Sequence, residues 1–102
     1  MKQASRRLAF LTFGMALIGA AAADDGKAVY DKTCFVCHAT GVAGAPKLGN
    51  KAEWAPRVGA GKDALVSTVI KGKGAMPPRA GAANLKDDEI KAAVDFMLAS
   101  VK

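Results

Sequence analysis

One histidine and two cysteines are all that this 102-residue sequence holds of those residue types. That scarcity excludes several chemistries. A structural zinc site takes four protein ligands, and two thiols with one imidazole fall short. A disulfide between cysteines three apart restrains little chain and would leave the histidine without a role. The sequence also lacks the strand pattern that a thioredoxin-like dithiol requires around it. Aromatic residues make up only 6% of the chain, and no basic stripe is interleaved with them. The net charge of +6 is therefore poor evidence for nucleic acid. No internal repeat is present. The longest apolar run, Leu8 to Ala23, spans 16 residues, short of the ~20 that cross a membrane.

That run belongs to a tripartite pattern. Lys2, Arg6 and Arg7 give a basic start, Leu8 to Ile18 an apolar middle, and Ala21-Ala22-Ala23 a small-residue cleavage site. Residues 1–23 are expected to be a secretory signal peptide, removed on export to the periplasm. An uncleaved anchor is the alternative. Ser5-Arg6-Arg7 resembles a twin-arginine signal, but these arginines are read as ordinary charge of the basic start. Removal of 23 of the 102 residues leaves a domain of 79, residues 24–102. It also leaves 12 basic against 9 acidic residues, a balance of +3. A domain this small has a thin core and usually needs a staple.

The staple is legible at Cys34-Phe35-Val36-Cys37-His38. Two cysteines three apart, followed at once by histidine, read as a covalent haem c attachment site. Each thiol adds across one haem vinyl group, and a short helical turn sets the sulfurs at the vinyl separation. His38 then offers an imidazole nitrogen to the iron. One haem c per chain is the expected cofactor.

Around this motif the pattern is helical. Asp24 and Asp25 suit a helix start, with the helix running to about Thr33. Gly41, Gly44, Pro46 and Gly49 make 39–50 a loop. Asn50 with Glu53 resembles a capping box, opening a short helix to about Val58 that Pro56 should kink or restart. Asp63 can open a helix ending near Lys71, before Gly72. Residues 73–86 read as loop. In the last helix, from about Asp87 to Val101, Ile90, Ala93, Val94, Met97 and Val101 share one apolar face. The expected fold class is all-α.

The second axial ligand cannot be histidine, because none is left. Met97 lies on an apolar helix face, where methionine is far more often core. Met76 sits in Gly74-Ala75-Met76-Pro77-Pro78, a restrained loop that cannot be regular helix, and is the expected ligand. His/Met ligation fills both axial positions and raises the potential, which suits an electron carrier rather than an enzyme.

Taken together, CFVCH, GAPKLG (44–49), EWAPR (53–57), MPP (76–78) and DDEIKAAVDFM (87–97) resemble the small monohaem class I cytochromes c, most closely the cytochrome c5 group. The resemblance covers essentially all of Asp24 to Lys102. It implies a fold of four or so helices and loops wrapped around one covalent haem. It implies that Gly26 and Tyr30 cross the last helix, with Phe96 as aromatic partner. It further implies that the Pro46 carbonyl accepts the proximal imidazole proton, that Leu48 packs on the haem face, and that Trp54 and Arg57 lie near the propionates; core packing is the other reading of Trp54. The sequence departs from the group where many members carry a second cysteine pair, since Ala82 and Leu85 stand there. Lys86 stands where Ser or Thr often precedes the last helix.

The resulting expectation is a periplasmic, single-haem electron carrier ligated by His38 and Met76. It would be a monomer that meets redox partner proteins, with no nucleic acid and no stable membrane insertion. The rival is a haem c protein with a labile sixth position, for gas binding or weak peroxidase work; a thiol redox module is a second. Lys71, Lys73 and Arg79 flank the Met76 loop and would steer an acidic partner, with Asp87, Asp88 and Glu89 expected elsewhere.

Overall fold

The computed structural model describes residues 25–102. The expected signal peptide and Asp24 lie outside the described residues. Within them the chain is helical, and the only pairing of extended backbone is an isolated bridge between Lys73 and Met76.

The first helix, α1, is α-helical over 25–29, opens into a π turn at Tyr30–Cys34, and returns to α over Phe35–His38. The Phe35 amide donates to the Tyr30 carbonyl, five residues back. The helix thus passes Thr33, where the sequence suggested an end, and carries the cysteine motif itself. No glycine or proline intervenes until Gly41, whose left-handed φ of 83° and bond to the Cys37 carbonyl (2.9 Å) close it.

Helix α2 spans Lys51–Val58 without interruption. Pro56 does not restart it. The carbonyl left without its partner belongs to Ala52, which is exposed, so water can satisfy it. The Asn50 side chain caps the helix by accepting the Glu53 amide (3.0 Å). The reciprocal arm of a capping box is missing, because Glu53 Oε1 accepts the Lys47 amide instead (2.8 Å). Helix α3 spans Lys62–Lys71 between Gly61 and Gly72.

Helix α4, Asp87–Ala99, is the centre of the fold. Its buried residues are Ile90, Ala93, Val94 and Met97, four of the five on the apolar face read from the sequence. Val101 lies beyond the helix, half-buried against the core. Met97 joins Tyr30 and Trp54 in one buried cluster, and Ile90 with Val94 joins Val66 in another. At ~1.5–3 kcal/mol for each large apolar side chain, these clusters hold α1, α2 and α3 to the same helix. The α1–α4 crossing depends on Gly26, since a Cβ there would run into the Ala92 carbonyl. One turn on, Tyr30 and Phe96 pack with ring centroids 5.4 Å apart. A Lys62–Asp95 ion pair (2.8 Å) ties α3 to α4.

Candidate haem-binding site

A cavity of about 490 Å³ opens between the helices. Cys34, Cys37 and His38 line it from α1, and Met76 lines it from the loop after α3. The sequence motif and the expected distal ligand, 38 residues apart in the numbering, thus face one space. Ala64, Leu65, Thr68 and Val69 of α3 and Ala93, Val94 and Met97 of α4 supply apolar walls.

His38 is held in one tautomer. Its Nδ1 lies 2.8 Å from the carbonyl oxygen of Pro46. A carbonyl can only accept, so Nδ1 carries the proton and Nε2 keeps its lone pair for a metal. The loop that delivers this carbonyl is anchored at its far side by Leu48 donating its amide to the His38 carbonyl (2.9 Å). Trp54 fixes the same loop, with Nε1 donating to the Lys47 carbonyl (2.8 Å). Its ring also stacks near the imidazole, with centroids 6.0 Å apart and planes 24° apart. Both readings of Trp54 therefore have a counterpart, since it lines the cavity and belongs to the core cluster.

Met76 is fixed by its backbone. Lys73 and Met76 exchange both main-chain hydrogen bonds (2.9 and 3.0 Å), closing a two-residue turn over Gly74-Ala75. Behind it, Gly72 has a φ of 86°, and a Cβ there would come within 2.9 Å of the Met76 carbonyl oxygen and 2.8 Å of Pro78 N. Met97, the other candidate thioether, is 5% exposed and packs against Tyr30 and Trp54.

The remaining expected site residues divide. Pro46 and Arg57 line the cavity, and the Arg57 guanidinium also donates to the Glu53 carbonyl one turn back. Leu48 is not among the lining residues; it packs from behind on the Tyr30–Trp54–Met97 cluster. The α3 wall was not named from the sequence, though Leu65 and Val69 sit four apart on that helix. Arg79 was placed among steering charges, apart from the acidic start of α4. Instead it pairs with Asp87 (2.9 Å).

Burial pushes the Cys34 thiol up to about 11. Desolvation there disfavours the thiolate. The donor set fits a haem: two thiols for covalent attachment, one imidazole with a free Nε2, one thioether, and an otherwise apolar lining. The volume falls in the range of about 300–1,000 Å³ usual for cofactor sites.

Comparison with known proteins agrees with this chemistry. The family described as cytochrome c oxidase, cbb3-type, subunit III matches residues 21–97. Cytochrome c-555 of Chlorobaculum tepidum is 48% identical over 98 residues, covering 92% of this chain and 89% of its own. Cytochrome c5 of Azotobacter vinelandii is 43% identical over 81 residues, covering 78% and 94%. A cytochrome c crystallised in an electron transfer complex with nitrite reductase superposes with a TM-score of 0.73 at 51% identity, over 76% of this chain and 95% of that one.

Proposed function

This chain belongs to the small monohaem class I cytochromes c, and we propose that it is a periplasmic electron carrier whose haem is ligated by His38 and Met76. Members of the family carry one covalently attached haem c and are electron carriers rather than enzymes. The haem supplies a one-electron iron couple. Everything else falls to the chain. Cys34 and Cys37 hold the group by thioethers. His38 offers Nε2, oriented by its Nδ1–H bond to Pro46. Met76 offers a thioether from a backbone pinned at both its amide and its carbonyl. With His38 and Met76 both committed to holding the group, no place would remain for a substrate, which suits electron transfer rather than catalysis. The apolar walls from α3 and α4 exclude water and favour the less charged, reduced state.

The observation that carries this reading is the cavity itself, which gathers both thiols, the imidazole and the Met76 side chain on its lining. Its partner would be another redox protein. The cytochrome c bound to nitrite reductase is one relative seen in such a complex. Lys71 and Lys73 are exposed beside the Met76 loop, and among the described residues neither is in an ion pair. They give the loop a positive rim for an acidic surface. Export to the periplasm rests on the signal pattern of residues 1–23.

Met76→Ala tests the ligand assignment. The variant should keep its haem through acid-acetone extraction, because attachment depends on the cysteines. It should lose the weak sulfur-to-iron band, drop in potential, and bind carbon monoxide. Met97→Leu should keep the haem, the sulfur band, the potential and a site closed to carbon monoxide, since that swap preserves volume at under about 1.5 kcal/mol. A sulfur band lost in Met97→Leu and kept in Met76→Ala would refute the assignment.

A further inference from the structure

The loop that follows Met76 returns to α4 through an unusual stretch of backbone. Arg79 and Ala80 both have left-handed dihedrals, φ 56° and 55°, and Gly81 continues at 84°. Neither Arg nor Ala favours this region, and such residues persist only where the surroundings over-determine them. Here the Arg79 side chain does so. Nη1 donates to the Leu85 carbonyl (2.7 Å) and Nη2 reaches Asp87 Oδ1 (2.9 Å). On the same residue, the backbone carbonyl accepts the Ala82 amide (3.0 Å), while the Ala80 amide donates to Pro77 O (2.9 Å). Arg79, with the Ala80 amide beside it, therefore closes the whole segment from Pro77 to the first turn of α4. With 30% of its side chain exposed, the guanidinium is shielded enough for two charge-assisted bonds from one planar fork to hold geometry as well as add energy.

We propose that Arg79 is a positioning residue for the distal ligand, latching the Met76 loop to α4 through Leu85 and Asp87. This rests on Met76 being that ligand. Pro77 and Pro78 are stiff at φ, so motion of Arg79 is carried back to Met76 with little slack. Helix α4 is the packed side of the latch, since four of its side chains are buried. An external ligand can reach the distal face only when the loop opens. Its apparent affinity is its intrinsic affinity scaled by the open fraction. Removing the latch should raise that fraction about tenfold, from the net worth of hydrogen bonds to a charged group.

The test is imidazole binding to the ferric holoprotein, well below its melting temperature. Arg79→Ala and Asp87→Asn should each bind imidazole several-fold more tightly than wild type, with Arg79→Ala near tenfold. The resting sulfur band should remain. Lys62→Ala removes the other ion pair on α4, the one with Asp95. It reports a general loss of stability and should leave imidazole affinity unchanged. Asp87→Asn keeps side-chain shape and so covers the case in which Arg79→Ala folds poorly. If wild type shows no sulfur band, the Met76 reading fails. If the band is present but Arg79→Ala and Asp87→Asn bind imidazole within twofold of wild type, or Lys62→Ala matches them, the latch is refuted alone.

Discussion

Replacing Gly72 with alanine should loosen the distal ligand more than any change at a neighbouring glycine. Gly72 sits at φ 86°, ψ 159°, a region essentially reserved for glycine, and an L-residue there costs of order 1–3 kcal/mol. Crowding adds to this. The new Cβ would meet Pro78 N at 2.8 Å, Met76 O at 2.9 Å and Pro78 Cδ at 3.0 Å. The first two are backbone atoms and cannot rotate away, so the Met76-Pro78 segment must shift, at about 1–3 kcal/mol for such overpacking. The combined loss is about 4 kcal/mol, or roughly 20 °C in melting temperature for a domain of this size. Gly74 supplies the control. It is also left-handed, at φ 59°, but a Cβ there meets nothing within 4 Å, so Gly74→Ala should cost only about 1–2 kcal/mol. Thermal unfolding followed by far-ultraviolet circular dichroism gives the stability, and the sulfur-to-iron band gives the ligand. Gly72→Ala should weaken that band before global unfolding; Gly74→Ala should not. Equal melting temperatures for the two variants, with the band intact in both, would refute the close-approach argument.

Two further outcomes follow from other parts of the fold. Lys86 is the N-cap of α4 with extended backbone; it receives Glu89 Oε1 at its own amide (2.8 Å) but has no side-chain acceptor to offer in return. Lys86→Ser should complete the reciprocal pair and raise the unfolding free energy by about 0.5–2 kcal/mol, read as a higher denaturation midpoint, without altering the haem spectrum. Tyr30, the only tyrosine, has its phenol held above the ordinary 10, by burial first and then by the charge of Asp31. A raised folded value means that the folded state keeps its proton longer than the unfolded one. This contribution is thus whole below pH ~10 and is lost as pH rises through the folded value. Denaturant midpoints measured between about pH 9 and pH 11 should fall in wild type and fall less in Tyr30→Phe; parallel curves would contradict it.

The fold was readable where local pattern and burial agree. Ile90, Ala93, Val94 and Met97 recur at helical spacing, and α4 buries them all. Cys34-Phe35-Val36-Cys37-His38 carries its chemistry in its spacing, so its helical conformation was expected, though not its continuity with the preceding helix. Pro56 was misjudged because propensity ignores exposure: the carbonyl it orphans belongs to an exposed residue. Leu48 shows another limit. An apolar residue near a motif can face the cavity or back its wall, and only the three-dimensional path decides. Arg79 and Asp87 were read as separate charges because nothing local predicts a left-handed turn at Arg79-Ala80, which brings them together.

The π turn at Tyr30–Cys34 has a consequence for the angular phase of α1. Each α-helical residue advances the side-chain direction by about 100°. A π turn accommodates one residue more than an α turn would over the same stretch. Before it, Gly26 and Tyr30 point at Ala92 and Phe96 of α4; after it, Cys34, Cys37 and His38 point into the cavity. The wide turn sets the offset between these two bearings. Winding the same residues as uninterrupted α-helix at full length would swing every downstream side chain by about 100°, carrying His38 off the Pro46 carbonyl. The wide turn is therefore what reconciles chain length with ligand bearing: a conservative substitution at Asp31 or Lys32 changes an exposed surface, whereas losing the wide winding at full length rotates the proximal ligand away from its site.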